Sequence, residues 1–285
     1  MRYKLGSLPP KLVNIIEHKA TEYPFTGIYN AYSKPGTYLC RKCGIALYRA
    51  DAKFASSCGW PSFEFEIKDV VRQEKDSDGS RTEILCNRCN AHLGHVFYGE
   101  KLTPMNTRHC VNSASLDFVE NDHVIDSEEA IIAAGCFWGV EYYYQKLPGV
   151  LKVESGYIGG LKDNPGYNEI CSGNTGHLEG IRILFDFSKI NYEEIIKYFF
   201  EIHDFSQTNG QGLDIGSQYL SACFYYDVIQ KNIIESVISQ LTVLGFKVAT
   251  QVRKVTTFWP AEGYHQNYYN NNSGQPYCHR HTKIF

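Results

Sequence analysis

Ten cysteines punctuate the chain, at positions 40, 43, 58, 86, 89, 110, 136, 171, 223 and 278. Four form two Cys-x-x-Cys pairs, Cys40 with Cys43 and Cys86 with Cys89, separated by a β-rich stretch. Each pair offers two thiolates from one tight turn. Together they make the ligand set of a closed tetrahedral zinc site, which has no open position and is therefore structural. The other six are single. Arg108 stands two residues before Cys110, on the same side of an extended chain, where its charge favours a thiolate. His92 and His95 are near enough in sequence to supply a proton, and Cys58 sits in a turn beside Trp60. Spacing alone leaves Cys110 either a nucleophile or an inert buried thiol. Cys136 stands at an expected strand-to-helix junction, where free amides and the helix dipole acidify a thiol. Phe137 and Trp138 could hold an S-methyl group there; the competing reading is a tight glycine turn with core aromatics. Cys223, in an apolar run, reads as core, and Cys171 has no assigned role. His279 and His281 are a weak metal signal and are expected to be solvated.

The elements that must carry these groups divide the chain. At 285 residues it is long enough for about two domains. Residues 10–21 read as a helix opened by Pro10. From Tyr29 to Phe118 short β-rich runs alternate with Gly, Asp, Asn and Ser, and Glu74–Arg81 reads as a hairpin tip. Residues 120–129 are short and polar and mark a boundary. Beyond them strands (130–134, 180–187, 218–226, 247–258) alternate with helices (137–147, 192–203, 228–243), and 267–278 reads as irregular. The expectation is a mainly antiparallel β domain with a zinc site at 1–122, a linker at 123–128 and an α+β domain, a two-layer sandwich, at 129–285, with a mobile C-terminal tail.

Composition narrows the function. With 28 basic against 31 acidic residues the net charge is −3, so neither a nucleic-acid nor a membrane-surface role is driven by charge. No apolar run spans a bilayer and Met1–Gly6 lacks a secretory pattern, which points to the cytoplasm and away from structural disulfides.

Residues 24–118 resemble the type B methionine sulfoxide reductases, which act on the R epimer. The matching stretches are Pro-Phe-Thr-Gly (24–27), the paired Cys-x-x-Cys, Cys-Gly-Trp-Pro-Ser-Phe (58–63), His-Leu-Gly-His-Val-Phe (92–97) and Arg-His-Cys-Val-Asn-Ser-Ala-Ser-Leu-Asp-Phe (108–118). The resemblance implies Cys110 as nucleophile, Cys58 as resolving thiol and Trp60 as the methyl platform. It implies that His92, His95, Arg108 and Asn112 shape the oxygen and thiolate environment. The family often has Asp-Gly after His-Val-Phe where this chain has Tyr98-Gly99, so no Asp role is carried over; His109 stands where Tyr or Phe is common.

Residues 129–285 resemble the type A reductases, specific for the S epimer. The stretches are Gly-Cys-Phe-Trp-Gly (135–139), Gly-Tyr-Ile-Gly-Gly (156–160), Pro165 to Tyr167, Cys-Ser-Gly-Asn-Thr-Gly-His (171–177) and Gly-Leu-Asp-Ile-Gly-Ser-Gln-Tyr (212–219). The resemblance implies Cys136 as nucleophile, Glu179 as proton donor, Phe137 and Trp138 around the methyl group, and Tyr167, Asp214 and Tyr219 at the oxygen. Tail cysteines often resolve the intermediate in this type, and Cys278 fits that place. The expected function is a fused bifunctional reductase acting on oxidised proteins or free methionine sulfoxide. It would pass through sulfenic acids and disulfides, be recycled by thioredoxin, and use structural zinc but no organic cofactor. The rivals are a zinc-ribbon interaction module fused to an inactive domain and a general thiol–disulfide oxidoreductase.

Overall fold

A computed structural model describes residues 7–76 and 79–285. The expectations for Met1–Gly6 and for residues 77–78 of the hairpin tip lie outside it. The described chain forms two compact units that meet in sequence between Ser127 and Glu128.

The first unit opens with helix α1 (Pro10–His18), which buries Ile15 and Ile16. It stops short of residue 21 because Lys19 turns left-handed (φ 59°) and Ala20 donates back to the Asn14 carbonyl at 3.2 Å. Nine strands follow: β1 (Thr37–Cys40), β2 (Ala46–Arg49), β3 (Lys53–Phe54), β4 (Ser62–Phe63), β5 (Val71–Lys75), β6 (Thr82–Cys86), β7 (His92–Tyr98), β8 (Thr107–Val111) and β9 (Leu116–Val119). They form two antiparallel sheets, ordered β2-β1-β9 and β3-β4-β8-β7-β6-β5. Tyr38, Tyr48, Phe63 and Phe118 join in the shared core, with Tyr48 stacked on Phe63 at 4.3 Å between centroids. The register matters for chemistry: Cys110 on β8 lies opposite Ser62 on β4 and His95 on β7.

The polar stretch expected as a linker packs on this unit. Val124 is buried, the Ile125 carbonyl accepts from Ala46 at 2.9 Å, and Arg88 pairs with Asp126. These contacts are backbone and ionic, which a polar composition hides.

The second unit contains β10 (Glu128–Ala134), helix α2 (Phe137–Tyr144), β11 (Val150–Ile158), α3 (Tyr167–Cys171), β12 (Leu178–Phe185) and α4 (Tyr192–Glu201). Then come β13 (Gly210–Gln211), β14 (Asp214–Ile215), β15 (Ser221–Tyr225), α5 (Val228–Val243), β16 (Gln251–Lys254), β17 (Trp259–Pro260) and α6 (Tyr268–Asn271). Six strands make one sheet, ordered β16-β15-β10-β12-β11-β17, antiparallel except for β15 with β16. Alternation along β10 sends Ala130, Ile132 and Ala134 to one face, where α2, α4 and α5 pack, and Ile131 and Ala133 to the other, under Val255 and Phe258. Asn191 caps α4 and shares a capping box with Glu194. Four of the buried side chains on that helix, Ile195, Ile196, Phe199 and Phe200, contribute about 1.5–3 kcal/mol each.

β10 begins two residues before the apolar run, because Glu129 is buried against Arg182 at 2.5 Å and a paired charge reads as surface in a sequence. The strand expected over 247–258 shrinks to four residues. Ala249 donates to the Phe205 carbonyl at 2.7 Å, drawing the chain off the sheet. No helix among the described residues is long and apolar enough to cross a membrane.

Candidate active sites and metal centre

In the first unit, β8 carries Cys110 and the turn before β4 carries Cys58. Gly59 in that turn takes φ 92°, and a Cβ there would come within 2.6 Å of Pro24. The two sulfurs lie 3.7 Å apart as free thiols. Their hydrogen bond pushes the Cys110 thiol up and holds Cys58 down to about 4, with burial raising Cys110 further. The Arg108 guanidinium opposes this and favours a Cys110 thiolate once the contact with Cys58 is broken. Arg108 is itself held by two bonds to Glu100, at 2.7 and 2.8 Å, and lies over the Phe97 ring at 4.5 Å. Glu100, next to the Tyr98-Gly99 departure, thus places a carboxylate against Arg108.

His92 bonds Glu83 through Nδ1 at 2.6 Å, and Lys19 holds the other Glu83 oxygen at 2.7 Å. Among the described residues, buried His92 Nε2 has no hydrogen-bond partner, and burial pushes the imidazole down. His95 Nε2 meets Asp76 at 3.3 Å. A cavity of about 90 Å³ is lined by Trp60, His95, Phe97, Cys110 and Asn112. Residue 22 ties this site together. Its carbonyl accepts from Trp60 Nε1 at 3.1 Å, its amide donates to Asn112 Oδ1 at 3.1 Å, and its carboxylate accepts from the Ser113 and Ala114 amides at 2.5 and 3.1 Å. Glu22, Glu83 and Glu100 were not legible in the sequence. Glu22 acts through residues 90 to 92 positions away, while Glu83 and Glu100 meet His92 and Arg108 side chain to side chain across neighbouring strands and a turn, and no spacing marks any of them.

In the second unit Cys136 sits at the N-cap of α2. The first amide of that helix, Phe137 N, donates to Glu179 Oε2 at 3.2 Å. Glu179, on β12 opposite Tyr157, is buried, and that burial pushes its carboxyl up to about 8. The Cys278 thiol reaches Cys136. This contact pushes Cys136 up and holds Cys278 down to about 6, while Glu179 raises Cys136 further. Trp138 donates its Nε1–H to His265 at 3.0 Å and stacks on Tyr268 at 3.6 Å. The Tyr167 ring lies 4.5 Å from His265. Asp214 accepts from the Tyr277 hydroxyl at 3.0 and 3.2 Å, and Tyr219 lies within electrostatic reach of both Glu179 and Cys136. Glu141, a buried residue on α2, accepts from the Tyr268 amide at 3.3 Å and fixes the segment against which Trp138 stacks.

The tail carries more anchors than its composition suggests. Gln211 holds the Cys278 carbonyl at 3.2 Å, and the Glu201 carboxylate accepts from the Ile284 and Phe285 amides at 2.9 and 3.1 Å. His281 meets Glu201 at 3.1 Å. His279 is buried rather than solvated, its Nε2–H donating to the Ala134 carbonyl at 2.6 Å. Cys223 is fully buried and Cys171 is exposed.

The remaining four cysteines converge. Among the described residues, the sulfurs of Cys40, Cys43, Cys86 and Cys89 lie within 4.8 Å of one another, all buried. Cys40 and Cys89 are 3.6 Å apart, and Cys43 and Cys86 are 3.7 Å apart. A tetrahedral site with Zn–S bonds of about 2.3 Å separates its sulfurs by about 3.8 Å, so the set fits such an ion. The two turns share one backbone pattern. Gly44 donates to Cys40 and Cys40 to Ile45, as Asn90 does to Cys86 and Cys86 to Ala91. Arg88 Nε lies 3.3 Å from Cys43 Sγ and Lys42 bonds the Cys89 carbonyl at 2.9 Å, offsetting thiolate charge.

Comparison with known proteins assigns both units to families. The family model described as peptide methionine sulfoxide reductase matches residues 128–285, more than half of the chain. The chain belongs to this family. A second model, the SelR domain, matches residues 8–120, so this reductase carries a type B domain followed by a type A domain. Peptide methionine sulfoxide reductase MsrA of Deinococcus radiodurans is 47% identical over 154 residues, covering 53% of this chain and 75% of its own length. The MsrA of Natronomonas pharaonis is 41% identical over 157 residues, covering 54% and 88%. Reduced Mxr1 of Saccharomyces cerevisiae superposes with a TM-score of 0.52 at 28% identity, over 55% of this reductase and 93% of Mxr1.

Proposed function

We propose that this reductase repairs both epimers of methionine sulfoxide, the R epimer at Cys110 and the S epimer at Cys136. The observation that supports this most is that Cys110 has a second thiol, Cys58, 3.7 Å away beside a small cavity, and that Cys136 at the start of α2 interacts with the Cys278 thiol beside the buried Glu179. At each site the thiolate attacks the sulfoxide sulfur while a neighbouring acid protonates the oxygen. Methionine leaves and a cysteine sulfenic acid remains. Glu179, pushed up to about 8, holds its proton at neutral pH and is the donor beside Cys136. His92 and His95, with Arg108 and Asn112, shape the oxygen and thiolate environment beside Cys110. Trp60 in the first unit, and Phe137 with Trp138 in the second, take the methyl group. Tyr167, Asp214 and Tyr219 bind the oxygen of the S epimer, and Asp214 exchanges Tyr277 for substrate. Cys58 or Cys278 then displaces water from the sulfenic acid, and a dithiol protein of the thioredoxin class reduces the resulting disulfide by exchange. Zinc at Cys40, Cys43, Cys86 and Cys89 cross-links the two knuckles of the first unit and supplies no chemistry to the reaction. Substrates are oxidised proteins and, by the same chemistry, free methionine sulfoxide, in the cytoplasm.

The test is an assay with separated epimers. Cys110→Ser should abolish R-sulfoxide reduction and spare the S epimer, and Cys136→Ser the reverse; loss of both activities in either folded variant rules out independent sites. Cys278→Ser should keep the first S-sulfoxide turnover and lose thioredoxin-driven turnover. Undiminished recycling would reassign the resolving role.

A further inference from the structure

The residue after Cys278 is placed to do chemistry. His279 is 5% exposed, and its imidazole occupies the notch left by Gly139 on α2, where a Cβ would come within 2.3 Å of Nδ1. Its Nε2 lies 2.6 Å from the Ala134 carbonyl. A carbonyl only accepts, so Nε2 carries the proton and Nδ1 is left with a lone pair. That lone pair faces Cys278 Sγ at 3.2 Å, and the thiol donates to it. Tyr143 donates to the His279 carbonyl at 3.3 Å, so the backbone is held as well as the ring. A cavity of about 790 Å³, lined in part by His203, Gln211, Cys278 and His279, opens this side of the tail to water.

We propose that His279 is a further catalytic residue of the type A site, the base that deprotonates Cys278 for disulfide formation. This rests on the reading of Cys136 as nucleophile and Cys278 as resolving thiol. In the step, oxidation of Cys136 to the sulfenic acid removes the thiol contact that holds Cys278 down, Nδ1 takes the Cys278 proton, the Cys278 thiolate attacks the Cys136 sulfenic sulfur, and an S–S bond forms as the S–O bond breaks. The departing hydroxide takes the proton from Nδ1 and leaves as water. Cys278 is oxidised, the sulfenic sulfur is reduced, and His279 ends neutral. The fixed tautomer matters because the opposite one would point an N–H at the sulfur and leave no acceptor.

The experiment is a rapid-quench single turnover of the full chain with the S epimer of a blocked methionine sulfoxide. It follows methionine and the Cys136–Cys278 disulfide separately. His279→Gln keeps an N–H for the Ala134 carbonyl and cannot act as a base. It should make methionine at the wild-type rate and form the disulfide at least tenfold more slowly at pH 7, with the deficit shrinking as rising pH ionises Cys278 unaided. The groups that share this field are Cys136, Glu179, His203 and Asp214, and all are unchanged in the variant. Added imidazole should restore part of the rate in His279→Ala. Wild-type disulfide formation in His279→Gln across the pH range overturns the base and leaves only a tail anchor. A wild-type protein that makes methionine but never this disulfide overturns the inference together with the role of Cys278.

Discussion

A single buried carboxylate is expected to set the pH behaviour of the second site if it is the proton donor proposed above. Glu179 is pushed up to about 8 because β12 carries it into the core, where the charged form is poorly solvated. As proton donor it works in the acid form. The first S-sulfoxide turnover should therefore fall on the alkaline side as Glu179 loses its proton above about pH 8, while its acid limb follows ionisation of the raised Cys136 thiol. Glu179→Gln should cost about 10²–10⁴ in that rate and flatten the fall; a pH profile on separated epimers checks both. An unchanged alkaline limb in the variant would assign the titration elsewhere. The sequence pointed to Glu179 only through resemblance, since nothing in its spacing distinguishes it from a surface acid. Glu100 shows the reverse case. Its bonds to Arg108 place a carboxylate next to a departure from the family pattern, where no acid role was carried over.

At the level of elements, short irregular segments do the positioning. The arm after α1 carries Glu22, whose carboxylate clamps the amides that follow Asn112 while its backbone holds Trp60. Hydrogen bonds to a charged group contribute about 1.5–3 kcal/mol. Glu22→Ala should therefore lower the melting temperature of the first unit and weaken R-sulfoxide kcat/KM, with S-sulfoxide reduction unaffected. Tyr23→Ala, at an exposed neighbour, is the control. Equal kinetics in the two variants would show that the clamp has no bearing on the site. Helix α5 follows its sequence closely, ending as expected at Val243, because its apolar repeat and the Asp227 cap act locally. β16 does not, because its limits depend on a bond from Ala249 to a carbonyl 44 residues away in the chain, that of Phe205.

On the scale of the whole molecule, each unit has its own core and its own pair of facing thiols. Metal should matter to one unit alone. Elemental analysis should find one zinc per chain, and a strong chelator should unfold the first unit and abolish R-sulfoxide reduction while S-sulfoxide reduction persists. An active protein that binds no metal would remove the structural role of the four cysteines. What the amino-acid order determines by itself is whatever depends on near neighbours. The two Cys-x-x-Cys turns, the thiol at the start of α2, the alternation of β10 and the division into a β-rich and an α+β unit are all of this kind, because turn geometry and side-chain period act over a few residues. Only the tertiary structure decides which thiols meet: Cys58 reaches Cys110 across 52 positions. Folding alone also places Glu22, Glu83 and Glu100 as supports and buries His279 against Gly139. Some of these contacts join segments far apart in the chain and others cross between neighbouring strands or a turn, and a polar residue that finds its partner only on folding looks, in sequence, like any solvated one.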